Sequence, residues 1–150
     1  MTTMRSNAGP RGVTYDEADL LRRARAARER AYAPYSQFRV GAIVVTAEGE
    51  AFEGVNVENA SFRTGTCAEQ AAIAVMVAAG VRGPVVAVAI VGDGPDPCTP
   101  CGACRQVILE FGPQALVYAS GDAGRPLIRS IAELLPEAFG PRRLGSGRGV

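Results

Sequence analysis

Histidine is absent from this chain of 150 residues. Any metal site must therefore draw on sulfur or oxygen, and no imidazole is available as a general base. Long apolar runs are absent too, with nothing near the ~20 residues a membrane span needs. Neither sign of charge dominates: 16 basic and 15 acidic residues leave a formal net charge of +1. That is too little for the broad basic field of a polynucleotide binder, so a small-molecule partner is expected, with no nucleic acid polymer and no membrane. The arginines that do cluster, Arg22, Arg23, Arg25, Arg28 and Arg30, mix with alanine and are expected on the wet face of a helix. Residues 1–12 are polar and small, with no apolar stretch behind their charges, so a secretory signal is not expected and a cytoplasmic setting follows. There, four cysteines are better metal ligands than disulfide partners.

Hydrophobic residues make up 47% and charged residues 21%, as in ordinary globular proteins. No repeat or linker interrupts residues 14–140, which are expected to form one domain between a disordered lead, 1–13, and a disordered tail, 141–150. Thr14, with Glu17 three residues on, suggests a capping box. The helix it opens would run through Leu20, Leu21, Ala24, Ala27 and Ala31 and stop at Pro34. Valine- and isoleucine-rich residues 38–46, a Glu48-Gly49 turn and residues 51–57 predict a hairpin. Residues 67–79 are alanine-rich and apolar almost all round, a buried helix ending at Gly80. The continuous apolar run 85–91 suits a strand covered on both faces. A loop over 92–100, a helix over 101–111, a strand over 115–119, a turn over 121–124 and a last helix over 129–135 complete the pattern. Strands alternating with helices predict an α/β sandwich with helices on both faces of its sheet.

The cysteines sit in two places. Cys67 opens the buried helix, while Cys98, Cys101 and Cys104 form C-x2-C-x2-C at the mouth of the next. Cysteines three apart at a turn entering a helix can aim their sulfurs at one ion. Helix N-termini favour that placement, because free amides and the dipole stabilise thiolate. Cys67-Ala68-Glu69 sets a carboxylate on the first turn, beside a metal but free of it. Zinc with three protein ligands keeps a position for water and lowers its pKa to about 7, and a nearby glutamate can carry the proton. Zinc deaminases combine three such ligands, a glutamate that is not a ligand, and P-C-x-x-C; here the last is Pro100-Cys101-Gly102-Ala103-Cys104. Alternatives remain at this point. Cys98 could close a structural site of four thiolates, the three-cysteine run also resembles part of an iron–sulfur pattern, and Glu69 could be a helix-start charge.

Over about residues 15–140 the sequence resembles the small homotetrameric cytidine deaminases. Tyr32-Ala33-Pro34-Tyr35-Ser36-Gln37-Phe38-Arg39-Val40-Gly41, Asn56-Val57-Glu58-Asn59-Ala60-Ser61-Phe62, Cys67-Ala68-Glu69 and Pro100 to Gln106 carry the resemblance, with Leu134 to Phe139 a weaker fifth match. It implies a three-layer α/β/α sandwich around a mostly five-stranded mixed sheet. It implies one zinc per subunit on Cys67, Cys101 and Cys104, with Glu69 as the catalytic acid and base. Phe38 would pack against the pyrimidine, Asn56 and Glu58 would bind the ribose 3′-hydroxyl, and the Ala68 amide and Thr99 carbonyl would read the base edge. Ala60, Phe62 and Phe139 would reach a neighbouring subunit's site, making the tetramer necessary. The implied reaction is hydrolytic deamination of cytidine and deoxycytidine in pyrimidine salvage, with a blasticidin S-like or modified-nucleoside deaminase, or a zinc-stapled interaction module, as alternatives.

The resemblance breaks at Gln70, where members with three cysteine ligands usually carry arginine. Three thiolates and a hydroxide outweigh a divalent zinc, so a neighbouring cation would restore its Lewis acidity; Arg105 and Arg63 are the candidates in the sequence. The related blasticidin S deaminases also lack that arginine, but they do not keep the N-x-E-N element, which favours a nucleoside here. Phe62 stands where tyrosine is frequent.

Overall fold

The computed structural model describes residues 7–8 and 12–145. Two short strands, β1 (Asn7–Ala8) and β2 (Thr14–Tyr15), pair antiparallel. Thr14 is thereby committed to a strand, and the cap of helix α1 (Glu17–Arg28) is Asp16, whose carboxylate accepts the Ala18 amide. This replaces the expected capping box at Thr14. The helix also ends well before Pro34. Turn bonds from the Arg30 and Ala31 amides to the Ala27 and Arg28 carbonyls close it, and the Tyr32 amide then turns to the Asn56 carbonyl.

The hairpin is β3 (Val40–Thr46) and β4 (Ala51–Val55), joined through Gly49 at φ 85°. Helix α2 (Ala68–Ala78) starts on Cys67 and is followed by Gly80 at φ 87°, the left-handed conformation in which glycine is favoured after a helix. Strand β5 (Val85–Gly92) is buried at every residue, as a continuous apolar run requires. Helix α3 (Gly102–Phe111) starts on Cys101, and β6 (Leu116–Ser120) follows. Next comes a strand the sequence pattern did not predict, β7 (Leu127–Ser130), in which Arg129 and Ser130 pair with Val117 and Leu116. The expected helix over 129–135 shrinks to one turn, α4 (Ile131–Leu134), with Ser130 and Glu133 forming its capping box.

The main sheet runs β4-β3-β5-β6-β7, with β5 and β6 parallel and the other pairs antiparallel. It is therefore mixed and five-stranded, as expected. Successive residues of β3 point to opposite faces. Ile43 and Val45 pack with Leu20 and Ala24 of α1, whereas Ala42 and Val44 pack with Ala72, Ile73 and Met76 of α2, Ile108 of α3 and Ile131 of α4. Two cores back to back make the α/β/α sandwich. Of the expected lead and tail, the described parts are β1, the residues leading into β2, and a 3-10 turn at Pro141–Leu144; the rest lies outside the described residues.

Two glycines set how closely the helices lie on the sheet. A Cβ on Gly41 would meet the Ala24 carbonyl oxygen at 2.1 Å, and one on Gly54 would meet the Ala68 carbonyl oxygen and Ala72 nitrogen at 2.3 Å. Gly54 thus seats the first turn of α2 directly on β4. Gly54→Ala must displace that backbone and is expected to destabilise the fold by about 1–3 kcal/mol, read by thermal unfolding.

Arg28 is not on the wet face. It is 6% exposed, because its spacing from Leu20 and Ala24 puts it on the inner stripe of α1. Its Nη1 donates to the Gly92 carbonyl at 2.8 Å and to Asp122 Oδ1 at 2.7 Å.

Candidate active site

Helices α2 and α3 present their N-termini to one another with cysteines at both caps. Cys67 caps α2, Cys101 caps α3, and Cys104 lies on the first turn of α3, fully buried. The three sulfurs all lie within 4.8 Å of one another. Zinc–sulfur bonds of about 2.3 Å at a tetrahedral angle would place sulfurs roughly 3.8 Å apart, so the cluster fits one such ion. Its electrostatics point the same way. Hydrogen bonding from Cys104, and less from Cys101, pulls the Cys67 thiol down to about 6, while the Cys104 thiol is pushed up by its bond to Cys67 and by burial. One thiolate forms readily and the next is opposed; a bound divalent cation removes that opposition.

Cys98 is outside this sulfur group. Burial, then the charges of Glu69, Cys67 and Cys101, pushes its thiol up to about 11. Its amide donates to the Ser120 carbonyl at 3.2 Å, and its sulfur packs over Gly92 beside the Phe38 ring.

Glu69 is 4% exposed on the first turn of α2. Burial lifts its carboxyl above the ordinary glutamate range, opposed by its own backbone amide and the Cys104 thiol. The next residue, Gln70, donates from Nε2 to the Cys104 sulfur at 3.7 Å. The Arg105 guanidinium is engaged elsewhere, donating at 2.8 Å to both the Pro100 and Leu134 carbonyls. It ties the cysteine loop to α4.

Phe38 lies just ahead of β3 and is 43% exposed. Both ends of the Asn56 amide bind the chain around it: Nδ2 donates to the Phe38 carbonyl at 2.9 Å, and Oδ1 accepts from the Val40 amide at 2.8 Å. Glu58 accepts the Tyr35 and Ser36 amides at 2.9 and 3.1 Å and also the Ser36 hydroxyl. Those bonds, the hydroxyl's first, hold its carboxyl below the usual range. Tyr35, Ser36, Glu58, Asn59, Phe62 and Gly65 line a cavity of about 360 Å³.

Ala68 is the first residue of α2, where a helix leaves amides without internal partners. Thr99 is exposed on the loop into Pro100. Ala60 is exposed, Phe62 is 79% exposed with its ring edge-on to Tyr35, and Phe139 is 60% exposed. The fold thus gathers Cys67, Glu69, Cys101 and Cys104 into one centre and leaves Ala60, Phe62 and Phe139 facing outward on this chain. Sequence reasoning gave no role to Gln106, the last residue of the Pro100 to Gln106 match, whose side chain donates to the Phe139 carbonyl at 2.8 Å. It also missed Asp93, just past the end of β5. Its place beyond the carboxyl end of a central strand, where α/β sheets gather ligands, was the available signal.

Residues 14–120 match the family described as the cytidine and deoxycytidylate deaminase zinc-binding region. The cytidine deaminase of Halalkalibacterium halodurans is 43% identical over 125 residues, covering 83% of this chain and 94% of that protein. The cytidine deaminase of Mycobacterium tuberculosis is 41% identical over 110 residues, 73% of this chain and 79% of that protein. Among solved structures, the cytidine deaminase of Burkholderia pseudomallei superposes with a TM-score of 0.80 at 46% identity, covering 83% of this chain and 100% of that one.

Proposed function

This chain belongs to the zinc-binding cytidine and deoxycytidylate deaminase family, and on that premise we propose that it hydrolyses cytidine and deoxycytidine to uridine and deoxyuridine with release of ammonia. The observation that carries the reading is the buried carboxyl of Glu69 on the same helical turn as one of three converging sulfurs.

Cys67, Cys101 and Cys104 would hold the zinc. When bound, zinc lowers the pKa of a coordinated water to about 7 and so supplies a nucleophile at neutral pH. Glu69 takes the proton of the attacking water and passes it to ring N3 of the pyrimidine. As the water oxygen bonds to C4, Glu69 is again a carboxylate; it takes the remaining proton of that oxygen and delivers it to the amino group, so the C4–N bond breaks, ammonia leaves and C4 becomes a carbonyl. A buried carboxyl with a raised pKa suits both directions of transfer. The free first-turn amide of Ala68 and the carbonyl of Thr99 would read the base edge, and Phe38 would cover its face. Glu58 retains acceptor capacity: a carboxylate offers about four lone-pair sites, and one remains beside the Tyr35 amide, the Ser36 amide and the Ser36 hydroxyl. A ribose 3′-hydroxyl suits it, with Asn56 alongside.

Ala60, Phe62 and Phe139 would complete the site of a neighbouring subunit in a homotetramer. Large aromatics left as exposed as Phe62 and Phe139 support that reading. Light scattering at four chain masses would agree with it, and an active monomer would refute it. Residues 14–140 would be the folded domain, and the four free cysteines suit a reducing cytoplasm. Among the described residues no helix is long and apolar enough to cross a membrane.

Gln70 donates to Cys104 without bringing charge. Removing a hydrogen-bond partner of a metal ligand commonly costs tenfold or more in affinity, so Gln70→Ala should weaken zinc binding about tenfold by chelator competition. Gln70→Arg should strengthen retention or raise turnover, and an unchanged profile in both assays would refute the charge account. The same uncharged glutamine favours one alternative, a modified-nucleoside substrate such as blasticidin S. Zinc-loaded protein offered cytidine, deoxycytidine and blasticidin S should change ultraviolet absorbance with the first two. Silence on all three would remove the deaminase reading.

A further inference from the structure

Every main-chain polar group of Phe38, Arg39 and Val40 has a partner. The Phe38 amide donates to Ser36 Oγ at 3.0 Å, and its carbonyl accepts from Asn56 Nδ2 at 2.9 Å. The Arg39 amide donates to Asp93 Oδ2 at 2.9 Å, and its carbonyl accepts the Asp93 amide at 3.0 Å. The Val40 amide donates to Asn56 Oδ1 at 2.8 Å, and its carbonyl accepts the Asn56 amide at 3.2 Å. The grip alternates along an extended segment, with Asn56 taking residues 38 and 40 from the β4 side and Asp93 taking residue 39 from the β5 side.

Asp93 does more than complete a ladder. Its carboxylate also receives the Arg39 side chain, Nε at 3.0 Å and Nη2 at 3.2 Å, and lies 3.5 Å from Nη1 of buried Arg28. The segment it holds does not start relaxed: Gln37, immediately before Phe38, has φ 57°, a conformation non-glycine residues seldom adopt. The Phe38 ring then passes over bare backbone, its Cζ 2.9 Å from where a Cβ on Gly92 would sit, with the Cys98 sulfur 2.8 Å from that point. Asp93 is the residue directly after this glycine, so the floor under the ring and the anchor of its backbone are adjacent in the chain.

We propose that Asp93 is a positioning residue for base binding: opposite Asn56, it clamps the 38–40 segment and thereby sets the Phe38 ring against the pyrimidine. This rests on the nucleoside reading above, with Phe38 at the base. It also gives Asn56 a second route to the substrate, through Phe38 as well as through the sugar. The competing role is structural, since Asp93 also faces Arg28. Arg28 keeps Asp122 and the Gly92 carbonyl when Asp93 is removed, so the packing of α1 survives the test.

The test uses the full zinc-loaded chain and four variants: Asp93→Ala, Asp93→Asn, Phe38→Ala and the double variant Phe38→Ala with Asp93→Ala. Displacing a positioning group by about 1 Å can cost a hundredfold, so Asp93→Ala should lower kcat/KM for cytidine by about ten- to a hundredfold, more through KM than kcat. Asp93→Asn keeps an oxygen for the Arg39 amide and should recover much of the loss. In the Phe38→Ala background the same alanine change should cost less than about twofold, because coupled residues are not additive. An equal loss in both backgrounds overturns the proposal in favour of a structural role.

Amide hydrogen exchange supplies a readout that needs no substrate. In Asp93→Ala, or in a further variant without an acceptor, Asp93→Leu, should the alanine variant fail to fold, residues 38–40 should lose protection while α1 and β5 keep theirs. Unchanged protection at 38–40 overturns the clamp. Should the parent turn over no cytidine, the nucleoside reading alone falls and the exchange result still decides the clamp.

Discussion

Glu69→Gln is expected to leave zinc content and fold intact while cytidine turnover falls by about two to four orders of magnitude, the range a positioned acid–base group supplies. The two side chains are nearly the same size, so the packing of a residue 4% exposed is preserved. The change removes the ability to take up and release a proton. Burial already favours the neutral form of Glu69, so an uncharged amide adds no desolvation penalty and the melting temperature should hold or rise. KM should change little beside kcat, because the lost interaction belongs to the reacting protons. Metal analysis, thermal unfolding and steady-state kinetics on one preparation check all three points. Turnover near that of the parent would refute the role given to Glu69.

Cys104→Ala should bring bound zinc and activity down together to background. Cys104 is fully buried, its sulfur is within 4.8 Å of the other two, and Gln70 donates to it. Without it two thiols remain on two separate helix caps, and the free energy of metal binding no longer helps hold α2 against α3. The melting temperature of this variant should therefore fall towards that of the metal-free parent, with added zinc giving no recovery. Cys98→Ala should behave differently. Its sulfur is outside the cluster and its thiol is held up near 11, so zinc should stay at one per chain. Loss of zinc from Cys98→Ala would revive the closed four-thiolate site.

The centre was readable from sequence because its rules are local. Chelation dictates C-x2-C, and a carboxylate two positions past a helix-capping cysteine needs only helical geometry to land beside it. The core strand β5 was equally plain, because a run buried on both faces has no polar positions. What was missed depends on residues far apart in the chain. Strand β7 is only partly buried, with residues 128 and 129 exposed, so it shows no alternation and forms because β6 offers a free edge. Arg28 is indistinguishable by type from its wet neighbours, and only the helix phase and Asp122, 94 residues on, mark it as buried. The Asp93 clamp joins residues 54 apart, and no local pattern announces it. Arg105 keeps its charge, since the carbonyls of Pro100 and Leu134 that it bonds are neutral, but its anchorage to α4 joins residues 29 apart and no local pattern announces it.

Zinc titration into metal-free protein, with cytidine absorbance followed at each addition, tests the central claim most directly. Activity should be absent without metal, rise in proportion to added zinc, and level off at one zinc per chain. Full deamination by the metal-free protein, or a fully zinc-loaded protein that leaves cytidine unchanged, would contradict it.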